Sequence, residues 1–267
     1  MEQKKWNRND RRPPVRRAQE PAENAENMLE GRNAVQEALA AGRPIDKLYI
    51  AAGETDRALS RLAAMAREAG AAVVETDRRK LDQLSATGAH QGVIAMVAAH
   101  AYATVEEILE NAKSRGEAPL IVICDELSDP HNLGAIIRTA ECVGAHGVII
   151  PKRRSAGLTA VVDKTSAGAL EHMAVARVPN LVAAIETLKK NGLWIYGTAA
   201  EGSNELWKTD LTGPACIVIG SEGAGISRLV REKCDFLVSI PLRGQISSLN
   251  ASAAAAVLLY EALRQRS

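Results

Sequence analysis

The stretch Cys216-Ile217-Val218-Ile219-Gly220-Ser221-Glu222-Gly223-Ala224-Gly225 joins a short apolar run to a glycine-rich turn. The run has the β-branched character of a buried strand, and glycines at its carboxyl end let a ligand approach the backbone. Open parallel sheets bind their ligands at that edge. Ile226 stands where a phosphate-binding loop needs lysine, and Glu222 breaks the Gly-x-Gly-x-x-Gly pattern, which disfavours triphosphate and dinucleotide sites. An ordinary tight turn explains the string equally well.

Similar β-branched runs recur on both sides of this stretch and alternate with helical patterns. Such alternation is typical of an α/β domain whose mostly parallel sheet is covered on both faces. The predicted strands lie at residues 120–124, 147–150, 174–178, 193–198, 216–219 and 236–239. The predicted helices lie at residues 133–143, 181–191, 226–233 and 248–265. The last helix is rich in alanine, which permits close packing, for example at a subunit interface.

A smaller α/β pattern precedes this sheet, and it predicts a separate domain over residues 27–99. A helical linker at residues 100–118 then leads to the second domain, residues 119–267. The predicted strands of the first domain lie at residues 48–50, 72–74 and 92–98, and its helices at residues 29–39, 55–69 and 77–84.

Charge is distributed unevenly along the 267 residues, whose formal net charge is only +1. Residues 1–17 carry seven cations against Glu2 and Asp10, a local charge of +5, so the remaining 250 residues sum to −4. Residues 1–26 lack hydrophobic periodicity and contain three prolines, which predicts a disordered basic tail. Such an arm suits contact with nucleic acid or another acidic surface, and a purely solubilising tail is an equal alternative.

Cysteine usage and hydropathy argue against several classes of protein. Cys124, Cys142, Cys216 and Cys234 form no Cys-x-x-Cys pair and have no histidine at zinc-ligand spacing, so no metal site is predicted. We expect them to be buried free thiols of a cytoplasmic protein. The basic start is followed by no apolar signal-peptide core, and the longest charge-free run, at residues 84–105, is too polar for a membrane span.

A second polar string, Asp129-Pro130-His131-Asn132-Leu133-Gly134-Ala135-Ile136-Ile137-Arg138-Thr139-Ala140, follows the strand predicted at 120–124. Asn132 can cap a helix that starts at Leu133. Arg138 is then a lone cation in an apolar stretch of that helix, and a surface arginine with a buried stem is an equal alternative.

A third string, Ile240-Pro241-Leu242-Arg243-Gly244-Gln245-Ile246-Ser247-Ser248-Leu249-Asn250, precedes the last helix. We expect Ser247 or Ser248 to cap that helix, where backbone N–H groups and the side chains of Ser248 and Asn250 can orient a ligand. A weaker candidate is Lys152-Arg153-Arg154, after the strand at 147–150. It suits a solvated loop, or a grip on a phosphate backbone if it faces the same cleft.

Taken together, the three strings resemble the SpoU/TrmH family of RNA ribose 2′-O-methyltransferases in the SPOUT superfamily. Residues 132–139 are similar to the first family motif, 219–225 to the second and 240–251 to the third, and the resemblance covers about residues 25–267. Residues 164–172 resemble the branch that methylates a guanosine of 23S ribosomal RNA. That branch carries a small RNA substrate-binding domain like ribosomal protein L30e, as residues 27–99 would be, whereas the basic tail has no family counterpart.

The resemblance implies a trefoil-knotted C-terminal domain, a homodimer whose active sites are completed across the interface, and S-adenosylmethionine as the cofactor. It also implies roles for single residues. Those implied around the reacting centre are Arg138, which would activate the ribose hydroxyl, with Asn132, Glu222, Ser248 and Asn250. Those implied to contact the cofactor are Thr198, Gly220, Ile240, Leu242 and Leu249.

Three functions remain open on the sequence. The first is 2′-O-methylation of a guanosine in 23S ribosomal RNA. The second keeps this chemistry with tRNA or another ribosomal nucleotide as the target, since RNA choice depends on surface shape. The third is a non-catalytic RNA-binding or ribosome-assembly protein. The full set of polar site residues disfavours this third function, because a binder has no evident need for them.

Overall fold

A computed structural model of the protein describes residues 27–53, 56–199 and 204–267. The first of its sheets has four strands. The prediction of a basic tail at 1–26 lies outside these residues. The elements of this part are β1 (Met28–Glu30), α1 (Arg32–Ala40), β2 (Ile45–Ala51), α2 (Arg57–Glu68), β3 (Ala72–Thr76), α3 (Arg78–Leu84) and β4 (Val93–Val97). The strand order is β1-β4-β2-β3, and only β2 and β3 pair in parallel.

Helix α2 packs on this sheet because its apolar residues recur every three or four positions. Leu59, Leu62 and Ala66 are buried, and the helix begins after Asp56, whose side chain accepts the N–H of Ala58 at 2.8 Å. The helix predicted at 29–39 is wrong at its start. Leu29 lies in β1 and pairs with β4, in a strand too short for periodicity to reveal.

The linker between the two sheets contains one helix, α4 (Val105–Arg115). Thr104 and Glu107 begin it with a capping box, in which each side chain accepts the backbone N–H of the other. Gly116 ends it in the left-handed conformation at φ +67°. The helix is therefore shorter than the 100–118 segment predicted to hold it.

The second sheet has seven strands in the order β7-β6-β5-β10-β8-β11-β9, and each neighbouring pair is parallel. The elements are β5 (Leu120–Cys124), α5 (Pro130–Cys142), β6 (Gly147–Pro151), α6 (Ala160–Ser166), β7 (Val175–Val178), α7 (Leu181–Lys190), β8 (Trp194–Thr198), β9 (Asn204–Glu205), β10 (Ala215–Ile219), α8 (Arg228–Arg231), β11 (Phe236–Ser239) and α9 (Ala251–Arg266). Because the strands are parallel, all their carboxyl ends meet at one edge of the sheet.

Each face of this sheet has its own apolar core. In β5, Val122 belongs to the core shared with α5 and α9, whereas Ile121 and Ile123 belong to the core shared with α4 and α7. Successive residues of a strand point to opposite faces, so a sheet covered on both sides needs an unbroken apolar run. The prediction of an α/β fold with a mostly parallel sheet is confirmed. The trefoil knot stays a prediction.

A buried ion pair links the part of the chain that forms the first sheet to the part that forms the second. Arg177, at the end of β7, donates to the Oδ1 carboxylate oxygen of Asp46 at 2.8 Å and to the Asp46 carbonyl at 3.0 Å. The Tyr102 hydroxyl donates to the same Oδ1 at 2.7 Å. Both members of the pair have only 8% of their side-chain surface exposed, and burial raises the pKa of the Asp46 carboxyl despite Arg177. No local sequence pattern indicated this contact.

The cysteines are placed less uniformly than expected. Cys124 and Cys216 are buried in β5 and β10, and burial raises the pKa of both thiols. Cys142 is exposed at the end of α5, so the expectation of burial is wrong there. Among the described residues, no helix is long and apolar enough to cross a membrane.

Candidate active site

A cavity of about 420 Å³ lies at the carboxyl ends of β8, β10 and β11. Its volume falls in the range of small-molecule sites, about 300–1,000 Å³. Its lining includes the five residues that the family resemblance implies to contact a cofactor: Thr198, Gly220, Ile240, Leu242 and Leu249. Glu222 and Ser248 also line it. Two of the three strings, residues 216–225 and 240–250, therefore meet at this cavity although they are far apart in sequence.

The glycine-rich turn closes on itself beside the cavity. The N–H of Ser221 donates to the Gly225 carbonyl at 3.0 Å, and the N–H of Gly225 donates back to the Ser221 carbonyl at 2.9 Å. A Cβ added at Gly220 would lie 2.2 Å from the carbonyl carbon of Gly225, so only glycine fits. Because Gly220 has no side chain, a ligand in the cavity can approach the backbone of the turn directly.

The loop at residues 241–250 forms another wall and leads into α9. Asn250 caps this helix, because its side-chain oxygen accepts the N–H groups of Ser252 at 2.9 Å and Ala253 at 3.2 Å. The expectation that Ser247 or Ser248 caps the helix is therefore wrong, and both serines line the cavity instead. Every residue of 241–250 is exposed.

Glu222, Asn132 and Asn250 form a polar cluster at the mouth of the cavity. The Oε1 atom of Glu222 accepts the Asn132 amide at 3.0 Å and the Asn250 amide at 2.5 Å. The Asn250 amide also reaches the Asn132 oxygen at 2.9 Å. The carboxylate faces the start of α9, where the N–H of Ala251 lies 3.5 Å from the same Oε1 atom. The partial positive charge of a helix start favours an anion there.

Asn132 is not the helix cap that its sequence position suggested. Helix α5 begins two residues earlier at Pro130, capped by Asp129, whose side chain accepts the N–H of His131 at 3.0 Å. Asn132 lies inside the first turn with only 7% of its surface exposed. Its side chain does not cap the helix; its amide N–H donates to Glu222, and its oxygen accepts the Asn250 amide.

Arg138 lies away from this cluster. It is exposed on α5, does not line the cavity, and makes no hydrogen bond or ion pair with the described part of the chain. Six residues turn a helix by about 600°, so Arg138 points about 120° away from the side of α5 that carries Asn132. The structure brings together nine of the ten implied site residues and leaves Arg138 apart.

Comparison with known proteins identifies the family. Residues 119–260, which contain the whole cavity, match the model of the SpoU rRNA Methylase family. The chain belongs to the SpoU family. Residues 28–103 match a second model, RNA 2′-O ribose methyltransferase substrate binding, which covers the first sheet.

Named relatives of this SpoU protein span nearly its whole length. The chain is 47% identical over 236 residues to YacO of Bacillus subtilis, classed by name with the TrmH family tRNA/rRNA methyltransferases, a match covering 88% of this chain and 94% of YacO. Among solved structures, the SpoU methyltransferase AviRb of Streptomyces viridochromogenes, in complex with AdoMet, is 29% identical, with 90% of each chain covered and a TM-score of 0.56. An AdoMet-bound rRNA methyltransferase of Sinorhizobium meliloti is 26% identical, covering 89% of this chain and 86% of its own, with a TM-score of 0.55.

Sequence reasoning missed several residues of this candidate site. Ala251, Ala254 and Leu258 of α9 line the cavity, although the alanine-rich run indicated only close helix packing. Asp125 was also missed: its buried carboxylate accepts the N–H of Ser227 at 2.7 Å and so holds the chain just after the glycine-rich turn. An aspartate directly after an apolar strand was the available signal for it.

Proposed function

We propose that this SpoU family RNA methyltransferase, whose methyl donor is S-adenosylmethionine, methylates the ribose 2′-hydroxyl of a guanosine in 23S ribosomal RNA. The observation that carries the proposal is the convergence of all five implied cofactor residues on one cavity, with the Glu222–Asn132–Asn250 cluster at its mouth. The domain at residues 27–99 would present the RNA, residues 100–118 would link it, and residues 119–267 would carry out the chemistry in the cytoplasm.

The residues around the cavity suit S-adenosylmethionine. Ile240, Leu242, Leu249 and Leu258 provide apolar walls, and the backbone around Gly220 is open to close approach. When bound, the cofactor supplies an electrophilic methyl group on its sulfonium. The protein must then align a weak alcohol nucleophile with that methyl group and assist the loss of its proton.

The polar cluster is suited to positioning the ribose. Glu222 fixes the amides of Asn132 and Asn250 by hydrogen bonds, so neither amide must reorganise when a hydroxyl binds. Ser248 lies on the same cavity wall and adds a hydroxyl that can donate or accept. We assign these four residues to orienting the reacting 2′-oxygen.

We assign Arg138 to stabilising negative charge on the substrate. A guanidinium group stays protonated in proteins and is therefore a poor general base at neutral pH. Five donors in a planar fork instead suit a phosphate or a developing alkoxide. This role explains why Arg138 is exposed and has no partner among the described residues.

We further propose that the protein is a homodimer, in which Arg138 serves the cavity of the partner. Arg138 points about 120° away from the side of α5 that carries Asn132, and it forms no hydrogen bond with its own Glu222–Asn132–Asn250 cluster. The cavity wall at 241–250 also exposes apolar side chains, with Ile246 at 76% and Leu242 at 42%. A second copy would cover these side chains and complete the site.

A methyl-transfer assay identifies which RNA the protein methylates. The protein is incubated with labelled S-adenosylmethionine and unmodified 23S ribosomal RNA or tRNA, and 2′-O-methyl nucleotides are mapped by mass spectrometry. We expect one methylated guanosine in 23S ribosomal RNA. Methylation of tRNA alone would favour the second target, which the tRNA/rRNA names of the relatives keep open. Cofactor binding without transfer to any RNA would contradict the proposed activity.

Arg138→Lys is expected to lower methyl transfer about 100-fold, because lysine keeps the charge but loses the planar fork. The affinity for S-adenosylmethionine should not change, since Arg138 does not line the cavity. Single-turnover kinetics and calorimetry measure the two quantities. Arg231→Lys, on exposed α8, is the matched control. Near-normal turnover by Arg138→Lys would refute a specific need for arginine.

Subunit complementation tests the shared active site. Arg138→Ala should inactivate the partner's site, and Gly220→Ala should inactivate its own. If Arg138 acts across the dimer, mixing and re-equilibrating the two inactive variants restores activity at one site per heterodimer. If Arg138 acts within its own subunit, one site of the heterodimer lacks the arginine and the other lacks a working cofactor cavity, so the mixture stays inactive. Analytical ultracentrifugation establishes that the heterodimer forms.

A further inference from the structure

A second and larger cavity, of about 890 Å³, forms a cleft between the two domains. One wall comes from β2, β3 and the end of α2 in the first domain. The other comes from the segments that follow β5, β6 and β7. The cleft is strongly basic: among the described residues that line it, Asp46 is the only carboxylate, against six cations: Lys47, Arg67, Lys152, Arg153, Arg154 and Arg177. A chain of net charge +1 thus concentrates cations at one place.

Four of these cations have no carboxylate partner. Arg177 pairs with Asp46 and Arg154 with Glu126, but Lys47, Arg67, Lys152 and Arg153 form no ion pair within the described residues. Gathering like charges is unfavourable unless a counter-charge is supplied. The cleft is therefore built for an anion with several charges.

The cleft is held open in a defined shape. The buried pair of Arg177 and Asp46 ties its two walls together at the base. Lys152 extends from the end of β6 to the first domain, where its ammonium nitrogen packs so closely on Gly70 that it lies 2.7 Å from where an added Cβ would be. Binding then requires little reordering of the domains, which favours affinity.

The cleft and the cofactor cavity share one edge of the second sheet. The cleft lies at the carboxyl ends of β7, β6 and β5, and the cofactor cavity at those of β10, β8 and β11. Helix α5 begins between them: Pro130 lines the cleft, and Asn132 contacts Glu222. Two residues of helix rise by about 3 Å, so the two sites are nearly continuous.

We propose that this interdomain cleft binds the phosphate backbone of the substrate RNA and directs the target nucleotide into the cofactor cavity. The inference rests on the proposed function and extends it, because it names the surface that holds the substrate. Tyr49 also lines the cleft, with the ammonium of Lys47 5.6 Å from its ring centroid. An aromatic ring among cations offers an unpaired base a surface for stacking, which an acidic protein partner would not use.

The test compares two triple variants of equal charge change. The cleft variant is K47Q/R67Q/K152Q, and the control variant K113Q/K190Q/R231Q removes exposed cations that line neither cavity. Binding of a fluorescently labelled fragment of 23S ribosomal RNA transcript is measured between about 50 and 200 mM salt. Thermal unfolding and S-adenosylmethionine affinity are measured on both variants.

Each phosphate contact adds about 0.7 to the salt slope for single-stranded RNA. Losing three contacts should lower the slope by about 2 and weaken binding at 0.1 M salt about 100-fold. The control variant should stay close to the wild type. In methyl transfer, the cleft variant should raise the KM for RNA while kcat at saturating RNA is retained, and its cofactor affinity and melting temperature should not change.

Equal affinity and salt slope in the two triple variants would overturn the inference. Methyl transfer by the wild type decides the proposed function separately. If the wild type transfers methyl groups while the cleft variant binds RNA normally, the inference fails and the function stands. If the wild type binds RNA without transferring methyl groups, the function fails and the slope comparison still decides the role of the cleft. A wild type that binds no RNA would overturn both.

Discussion

Gly220→Ala is expected to abolish detectable binding of S-adenosylmethionine. The new Cβ would lie 2.2 Å from the carbonyl carbon and 2.5 Å from the carbonyl oxygen of Gly225, and 2.4 Å from the nitrogen of Ile226. These are backbone atoms, and the two hydrogen bonds between Ser221 and Gly225 hold them in place. The clash can be relieved only by displacing the turn that walls the cavity. Calorimetric titration with the cofactor measures the loss.

Gly213→Ala is the matched control, because no atom lies within 4 Å of its added Cβ and it precedes the opposite end of the same strand. It should bind S-adenosylmethionine like the wild type. Gly220→Ala itself should lose stability by about 1–3 kcal/mol, which is typical of overpacking, and remain folded. Cofactor binding by a folded Gly220→Ala within a few-fold of the wild type would contradict the placement of the cofactor beside this turn.

Arg177→Met is expected to lower the free energy of unfolding by about 3–5 kcal/mol, because it leaves the buried charge of Asp46 without its partner. The Oδ2 atom of Asp46 has no hydrogen-bond partner among the described residues, and without Arg177 only the Tyr102 hydroxyl would still donate to this side chain there. Urea unfolding measures the change. Arg228→Met is the control: it breaks an exposed pair with Glu232, of a kind that contributes about 0–1 kcal/mol.

Two further measurements separate this pair from a general packing defect. The double variant Asp46→Asn/Arg177→Met should recover part of the loss, since no charge is then buried. The loss in Arg177→Met should also shrink in acid. Burial already raises the pKa of Asp46 above its ordinary value, and a raised folded-state pKa gives stability that is present at low pH and lost as pH rises through that pKa. A loss that is unchanged by pH and by Asp46→Asn would contradict this account.

Strands of the second sheet were the most predictable part of the fold. Two of them, Leu120–Cys124 and Phe236–Ser239, have the predicted bounds. A parallel strand buried on both faces must be continuously apolar, and that signal is local. Helix starts were less predictable: the start of α5 at Pro130 was missed, although aspartate followed by proline is a known signal for a first turn.

The candidate site was predictable to the extent that family motifs carry it. The motifs implied several of the residues that line the candidate cavity, but they gave no indication that Glu222 joins Asn132 to Asn250. The pair of Asp46 and Arg177 could not be predicted, because the two residues lie 131 positions apart in unrelated patterns. Likewise, the sequence of residues 152–154 suited a solvated loop as well as a phosphate contact. Only the structure places these residues opposite the first sheet, across a shared cleft.

Helix α9 runs from one edge of the second sheet to the other. It begins at the polar cluster, and after 16 residues, about 24 Å, Arg266 donates to the carbonyls of Ala118 and Pro119, which precede β5. A reporter, fused domain or surface tether joined after Ser267 would therefore leave from the side opposite both cavities. Immobilising the protein through that end should keep its two binding edges open to solution, even for an RNA as bulky as a ribosomal fragment.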